Sequence, residues 1–503
     1  MREYELDPTS GASDRALQIS ESGRALSLLD MLSAREGDPA SPRQFETSQK
    51  MLQLRMEVEH AYDQRLRLML EGGSKREMDA NADTLTEAID TLERAEDEQK
   101  AAAATSPPTP TRRLSAAEII SASRTLHSTL IEYMLGANHS YAWVIDDGKI
   151  ESYVLPPRDR IESAVKEWRA LATARIAKPG ESFDEHRKRV EAADKQLPQV
   201  AADLSCMLLS PFLRPHMQHL AIVPDGELQM LPFAALPEDG CHEAGRPIAT
   251  ERDVFITPSL SILLTRQPSR PESYRGDVAL IADPVFDGDD PRVHRTEKPA
   301  RGSNQTRFTP ALPRLLGTRE EANAIFAIAG PERAALYLDF DANLKTLFDP
   351  SLTEYRILHL AAHGILDEGR PGFSGIVLSL VDRDGHPIFG YLNTEDIASL
   401  HLRSDLVVLS SCDSAAGANL SGEGVTGLNH SFLGAGARRV VSTLWSVDDD
   451  ASKELITAFY SGMLRDGLDP AEALQRSQVM MMRNARTAAP FYWAAFTITS
   501  TLN

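Results

Sequence analysis

The strongest constraint on this chain is an alternation in its C-terminal half. Short apolar, β-branched runs recur at DVALIADP (277–284), AALYL (334–338), RILHLAA (356–362), GIVLSL (375–380), DLVVLSS (405–411) and RRVVSTL (438–444). Helical patterns fill the intervals near 318–329, 422–435, 449–464 and 469–484. Runs that are apolar throughout belong to strands covered on both faces. Strands alternating with helices predict an α/β fold, a mostly parallel sheet flanked by helices. Two helix starts are marked. Thr318-x-x-Glu321 reads as a capping box, and Asp469-Pro470-x-Glu472 combines a cap, a proline at N1 and a reciprocal glutamate.

Upstream the pattern is also mixed. YAWVI (141–145) and IESYVL (150–155) flank Asp146-Asp147-Gly148, a hairpin signal. Helical stretches follow to about residue 213, and HLAIVP (219–224) and DVFITP (253–258) read as strands. Leu114-Ser115-x-x-Glu118-Ile119 carries a capping box and a hydrophobic staple. These signals predict a first α/β unit over 114–270 and a second over 271–503. Residues 101–113, AAAATSPPTPTRR, read as a linker. Residues 1–100 read as a helical hairpin or repeat-like segment, interrupted at Gly72 and Gly73. Within it Leu85, Ile89 and Leu92 share one helical face.

Length and charge narrow the function. A chain of 503 residues exceeds what one core usually serves, so two or three domains are expected. A net charge of -20 excludes a general nucleic-acid binder. No uncharged apolar run reaches membrane-span length, and the N-terminus does not read as a signal peptide. Cys206, Cys241 and Cys412 are the three cysteines and show no CxxC pairing. Neither a disulfide framework nor a metal site is expected, and a reducing cytoplasm is the expected compartment. No cofactor is implied.

In α/β folds catalytic groups collect at the carboxyl ends of strands. RILHLAA runs into His363-Gly364, and DLVVLSS runs into Cys412-Asp413. A thiolate attacks carbonyls, and a nearby imidazole takes its proton. The N–H groups of Cys412 and Gly364 are natural donors to an oxyanion. On these residues alone, an inert buried thiol stays an open alternative. His359 shares a strand face with His363. It reads as a buried supporting residue, with a metal ligand as the alternative. Asp413, Asp283 and Asp448 are candidates for a substrate pocket selecting Arg or Lys. The alternatives are that Asp413 caps a turn, Asp283 opens the loop at Pro284, and Asp448 caps the helix from 449.

Several segments together resemble the CHAT domain, a caspase- and separase-like peptidase family common in bacteria. They include HLAAHG (359–364), LVVLSSCDSAAG (406–417), GEGVTGLNHSFLGAGARRVVSTLWSVDD (422–449), DPAEALQRSQ (469–478) and PFYWAAFTI (490–498). IVPDGELQMLPFAALP (222–237) and LLGTREEANAI (315–325) add to them, so the resemblance covers about 115–500. It implies a cysteine endopeptidase acting on specific proteins through Cys412 and His363. It also implies that the first α/β unit is a non-catalytic companion. Latency until a partner or ligand acts, and a place in bacterial defence or cell death, follow from the same resemblance. The loops 284–313 and 365–374 are candidates for activation. The first, with Arg292, Arg295, Lys298 and Arg301, is a candidate for self-cleavage. The N-terminal helices are the expected docking surface for an activating protein. A silent scaffold, or a thiol acyltransferase using the same dyad, are the alternative functions.

Overall fold

The computed structural model describes residues 12–22, scattered positions up to 95, and 114–241, 245–264, 273–294, 312–365, 375–410 and 422–501. Leu85, Ile89, Leu92, Cys412, Asp413 and the interior of both candidate loops lie outside the described residues. The chain divides into two compact units. One comprises Met1–Leu29, Arg113–Lys298 and Ala311–Asn503; the other comprises Asp30–Arg112 and Pro299–Pro310. In the second unit the described positions between 75 and 95 are helical, as the sequence predicts.

The first unit opens with helix α1 (Ala12–Ser22) and continues with α2 (Ala116–Leu126). Strands β1 (Thr129–Met134), β2 (Ser140–Asp146) and β3 (Lys149–Leu155) follow, then α3 (Arg158–Ala172) and α4 (Phe183–Leu208). Next come β4 (His219–Val223), β5 (Asp253–Ile256), the short helix α5 (Leu260–Leu264), β6 (Gly276–Pro284), α6 (Leu316–Ala329) and β7 (Ala334–Asp339). The remainder is β8 (Tyr355–Ala361), β9 (His363–Ile365), β10 (Gly375–Val377), β11 (Tyr391–Asn393), β12 (Leu406–Leu409), α7 (Gly422–Gly434), β13 (Arg439–Thr443), α8 (Asp449–Leu464), α9 (Pro470–Arg483) and β14 (Phe496–Ser500).

Eleven strands form one sheet in the order β3-β2-β1-β4-β5-β14-β13-β12-β8-β6-β7. Among neighbours only β3–β2, β2–β1 and β14–β13 are antiparallel. The α/β fold with a mostly parallel, helix-flanked sheet is as expected. The two expected α/β units are halves of this one sheet, and β14 joins them. It pairs with β13 over five residue pairs and with β5 at Thr499–Ile256. One apolar core crosses the joint: the rings of Trp168 on α3 and Trp445 after β13 lie 6.1 Å apart.

Local chemistry explains most elements. Asp147 and Gly148 both have positive φ, 44° and 78°, the twist that a two-residue hairpin loop between β2 and β3 requires. Ser115 and Glu118 close a reciprocal box at α2, and Ser182 and Glu185 do so at α4. The Thr318–Glu321 box does not form. Helix α6 begins earlier, at Leu316, and the Thr318 hydroxyl donates to Leu315 O at 2.7 Å. In the large sheet, two strands that the sequence did not announce are β1 and β14. Strand β1 has Glu132 in its middle, which breaks the apolar run.

One disulfide joins Cys206 on α4 to Cys241, with Cα atoms 4.8 Å apart across 35 residues. A single bond is not a framework, but it pairs two of the three cysteines. Cysteine usage therefore gives no support to a reducing compartment. Among the described residues no helix is long and apolar enough to cross a membrane.

Helix α1 is part of the α/β body. Leu17 is buried in the core, and Glu21 is buried at the start of α5. The Glu21 carboxylate accepts from Leu260 N (3.0 Å), Ser261 N (2.7 Å) and Ser261 Oγ (2.7 Å). Arg24 donates to Pro224 O at 3.0 Å and pairs with the buried Glu132 at 3.2 Å. Burial raises the Glu132 pKa well above the ordinary carboxylate value, and Glu21 adds to the shift. Glu21→Ala leaves two backbone donors unpaired and should lower stability by about 2–4 kcal/mol, read as a fall in melting temperature. Glu132 is a group whose folded pKa is raised. Its stabilising contribution is present below the unfolded value and declines as pH rises toward the folded one. Glu132→Gln should flatten that decline in a melting series above pH 4.5.

Candidate active site

His363 follows β8 at the carboxyl edge of the parallel strands and opens β9, which pairs it with Val377. It is 1% exposed. Its ring lies against Phe286, with centroids 5.0 Å apart. Nε2 is 2.8 Å from Pro313 O. A carbonyl can only accept, so Nε2 carries a proton, and in the neutral ring Nδ1 is the bare nitrogen. Nδ1 is buried and has no hydrogen-bond partner among the described residues. A buried acceptor left open in this way is costly unless something donates to it. A thiol proton is such a donor. Gly364, the expected oxyanion donor, is buried in β9 opposite Ile376.

His359 lies on β8, paired with Val408 of β12 and fully buried. Its Nδ1 is 3.1 Å from Tyr460 Oη, and its Nε2 is 3.0 Å from Glu321 Oε1 without hydrogen-bond alignment. Burial pushes the Tyr460 hydroxyl well above its usual pKa, so it stays protonated beside His359. His359 is thus flanked by a hydroxyl and a carboxylate of this chain. Glu321, which the sequence reading assigned to a helix cap, is the partner it needed.

Asp283 ends β6 with a left-handed φ of 49° and a fully buried side chain. Arg314 grips both carboxylate oxygens, at 2.9 and 2.6 Å. Arg319 donates to Oδ2 at 2.6 Å, and Arg292 stands 3.0 Å from Oδ1. Arg292 also reaches Asp339 at 2.7 Å and Asp290 at 2.7 Å, and Arg319 also pairs with Asp339. Burial opposes ionisation of Asp339, yet Arg319 and Arg292 hold its pKa below the ordinary value. The Asp283 carboxylate is therefore occupied by three cations of its own chain. Asp448 accepts from Ala451 N at 3.0 Å and caps α8, the alternative the sequence left open. Cys412 and Asp413 lie outside the described residues.

The functional contact that sequence reasoning missed is Pro313 O. A backbone carbonyl has no residue signature, and 50 positions separate it from His363. Its neighbour Arg314 fixes it in place through Asp283. Asp283→Asn would leave Arg292, Arg314 and Arg319 crowded around a neutral group. Stability should fall by about 3–5 kcal/mol, visible as a lowered melting temperature, because breaking a buried ion cluster strands its charges.

The family profile of the CHAT domain matches residues 198–501, more than half of the chain. Over 107 residues the chain is 36% identical to tetratricopeptide repeat protein 28 of Mus musculus. That match covers 21% of this chain and 4% of the mouse protein, so the chain spans a small part of that relative. Among solved structures, the Saccharomyces cerevisiae separase–securin complex aligns at 11% identity with a TM-score of 0.49. The alignment covers 76% of this chain and 30% of that one. The Arg specific cysteine proteinase gingipain R aligns at 9% identity with a TM-score of 0.32, over 68% of this chain and 74% of its own.

Proposed function

We propose that this chain, which belongs to the CHAT domain family, is a cysteine endopeptidase with Cys412 as nucleophile and His363 as general base. One observation carries the reading: His363 holds its proton on Nε2 against Pro313 O and keeps a buried Nδ1 open. The strand register supports the partner. Val408 stands beside His359 and Leu409 beside Leu360, an offset of 49 positions. Cys412 follows His363 by the same 49 positions in sequence.

The chemistry balances without a cofactor. His363 Nδ1 takes the Cys412 thiol proton as Sγ bonds to the peptide carbonyl carbon. The N–H groups of Cys412 and Gly364 receive the oxyanion. The C–N bond then breaks, and the imidazolium returns the proton to the leaving amine. Water, deprotonated by His363, cleaves the thioester and restores the thiol. His359 lies on β8 just before this site, beside Tyr460 and Glu321.

Substrate selection falls to Asp413, because Asp283 is neutralised within the chain and Asp448 is a helix cap. An acidic pocket of this kind favours a basic side chain before the cut. The helical segment beyond α1, up to about residue 100, is the surface for an activating protein partner. Self-cleavage within 284–313 is part of the same reading, as is a role in bacterial defence or cell death.

Covalent labelling tests the dyad. A thiol-reactive peptidyl probe with arginine at its recognition position should label wild-type protein. Cys412→Ala should abolish labelling, and His363→Ala should slow it about 10²–10⁴-fold. Preference for an aspartate probe would keep the peptidase and discard the acidic pocket. Wild-type protein that reacts with neither probe, and alkylates with iodoacetamide no faster than His363→Ala, would overturn the dyad.

A further inference from the structure

Three side chains meet where the two halves of the sheet join. His219 is the first residue of β4, Asp253 the first of β5, and Glu472 stands in the first turn of α9. The first two are register partners in the parallel pair, and Nδ1 of His219 lies 2.5 Å from Asp253 Oδ2. One ligand atom from each of the three residues lies within 4.8 Å of the others. Asp253 is 7% exposed.

The placement of Glu472 is the second observation. Its sequence context, Asp469-Pro470-x-Glu472, calls for a carboxylate that folds back to the cap. At Ser115–Glu118 and Ser182–Glu185 the glutamate does so, at 2.9 Å in each case. Glu472 does not. Asp469 caps α9 with Oδ1 and takes Arg439 on Oδ2 at 2.7 Å. Glu472 has no hydrogen bond or ion pair among the described residues, and it faces His219 and Asp253 instead. Two carboxylates thus converge on one imidazole, and the nearby arginine is spent on Asp469.

We propose that His219, Asp253 and Glu472 bind a divalent transition-metal ion of the zinc class. An imidazole nitrogen with two carboxylate oxygens suits such an ion, and water would complete the shell. Zinc bonds of about 2.0–2.2 Å hold neighbouring ligand atoms roughly 3.3 Å apart, so the His219–Asp253 contact opens by less than about 1 Å to admit it. The site has a mechanical reason. Strands β5 and β14 share one backbone pair, and an apolar groove lined by Val254, Leu474, Phe496 and Ile498 runs beside it. An ion held by β4, β5 and α9 ties the companion half to the catalytic half where the backbone ladder is weakest.

The test uses the full chain carrying Cys412→Ala, which removes the free thiol as a competing ligand, after chelator treatment. Titration with ZnCl2 in a calorimeter should show one site per chain and a raised melting temperature. Glu472→Gln and His219→Ala should each weaken that binding at least tenfold. Glu472 is only half-buried, so its variant should fold even if His219→Ala does not. A second group, Asp382, Asp384 and His386, sits on an exposed turn and is the control. Asp384→Asn with His386→Ala should leave the site intact. Absence of stoichiometric binding, binding unchanged in Glu472→Gln, or loss only in the control variant would each overturn the assignment. The readout is metal binding, so its failure is separate from failure of the peptidase reading.

Discussion

The sheet depends on its last strand. Strand β14 lies between β13 and β5, antiparallel to one and parallel to the other. Residues 496–500 therefore close a structure whose other joint strands end by residue 256 and residue 443. The reversal at β14 also sets the polarity of the two halves. The carboxyl ends of β1, β4 and β5 point to the edge opposite those of β6, β8 and β12. With one backbone pair between β5 and β14, side chains carry much of the joint. Gln475 of α9 crosses it, donating to Ala249 O at 2.7 Å. Continuous apolar packing does the rest. Neither half buries its own sheet edge, so the first half contributes stability to the second.

The sheet edge that carries His363 is organised by a different interaction, the buried carboxylate of Asp283. An isolated charge there would be prohibitive, and Arg292, Arg314 and Arg319 neutralise it. Two of those cations, Arg292 and Arg314, come from the two ends of the segment that links β6 to α6. The cluster therefore pins both ends of a long connection to one strand terminus. Pro313, next to Arg314, is held so that its carbonyl meets His363. The tautomer of His363 thus traces back to an ion cluster built for stability.

The strands of the C-terminal half were legible because they are apolar, short and regularly interrupted. The β2–β3 hairpin was legible because Asp147-Gly148 can adopt positive φ at both positions. His363 stood out because a strand ends in a histidine and a glycine. Other features left little mark. Strand β1 hides behind Glu132, whose buried carboxylate meets Arg24, a residue just past α1 and far away in sequence. Strand β14 reads FTITS, an alternating pattern too short to separate from a tail. Cys206 and Cys241 meet because of how the chain returns after α4, which no spacing rule encodes. In each case the missing information is a partner far away in sequence.

Glutamates at the third position of a helix show how local rules fail usefully. Where nothing else competes, Glu118 and Glu185 turn back to their serine caps. A reciprocal cap contributes on the order of 1 kcal/mol, little enough to be given up where the helix packs against the sheet. Glu321 leaves its expected threonine for His359, deep beside β8. Glu472 leaves its aspartate cap and meets His219 with Asp253. Both diversions bring a carboxylate to a histidine, and both occur where a helix packs on a strand terminus or face of the large sheet. Local signals that agree everywhere else and give way at two histidines mark places where something other than helix stability was selected. At His359 that is support for the strand leading into the active site. At His219 the same logic calls for a partner that two carboxylates and an imidazole would share, and a cation meets that need where a second hydrogen bond would not.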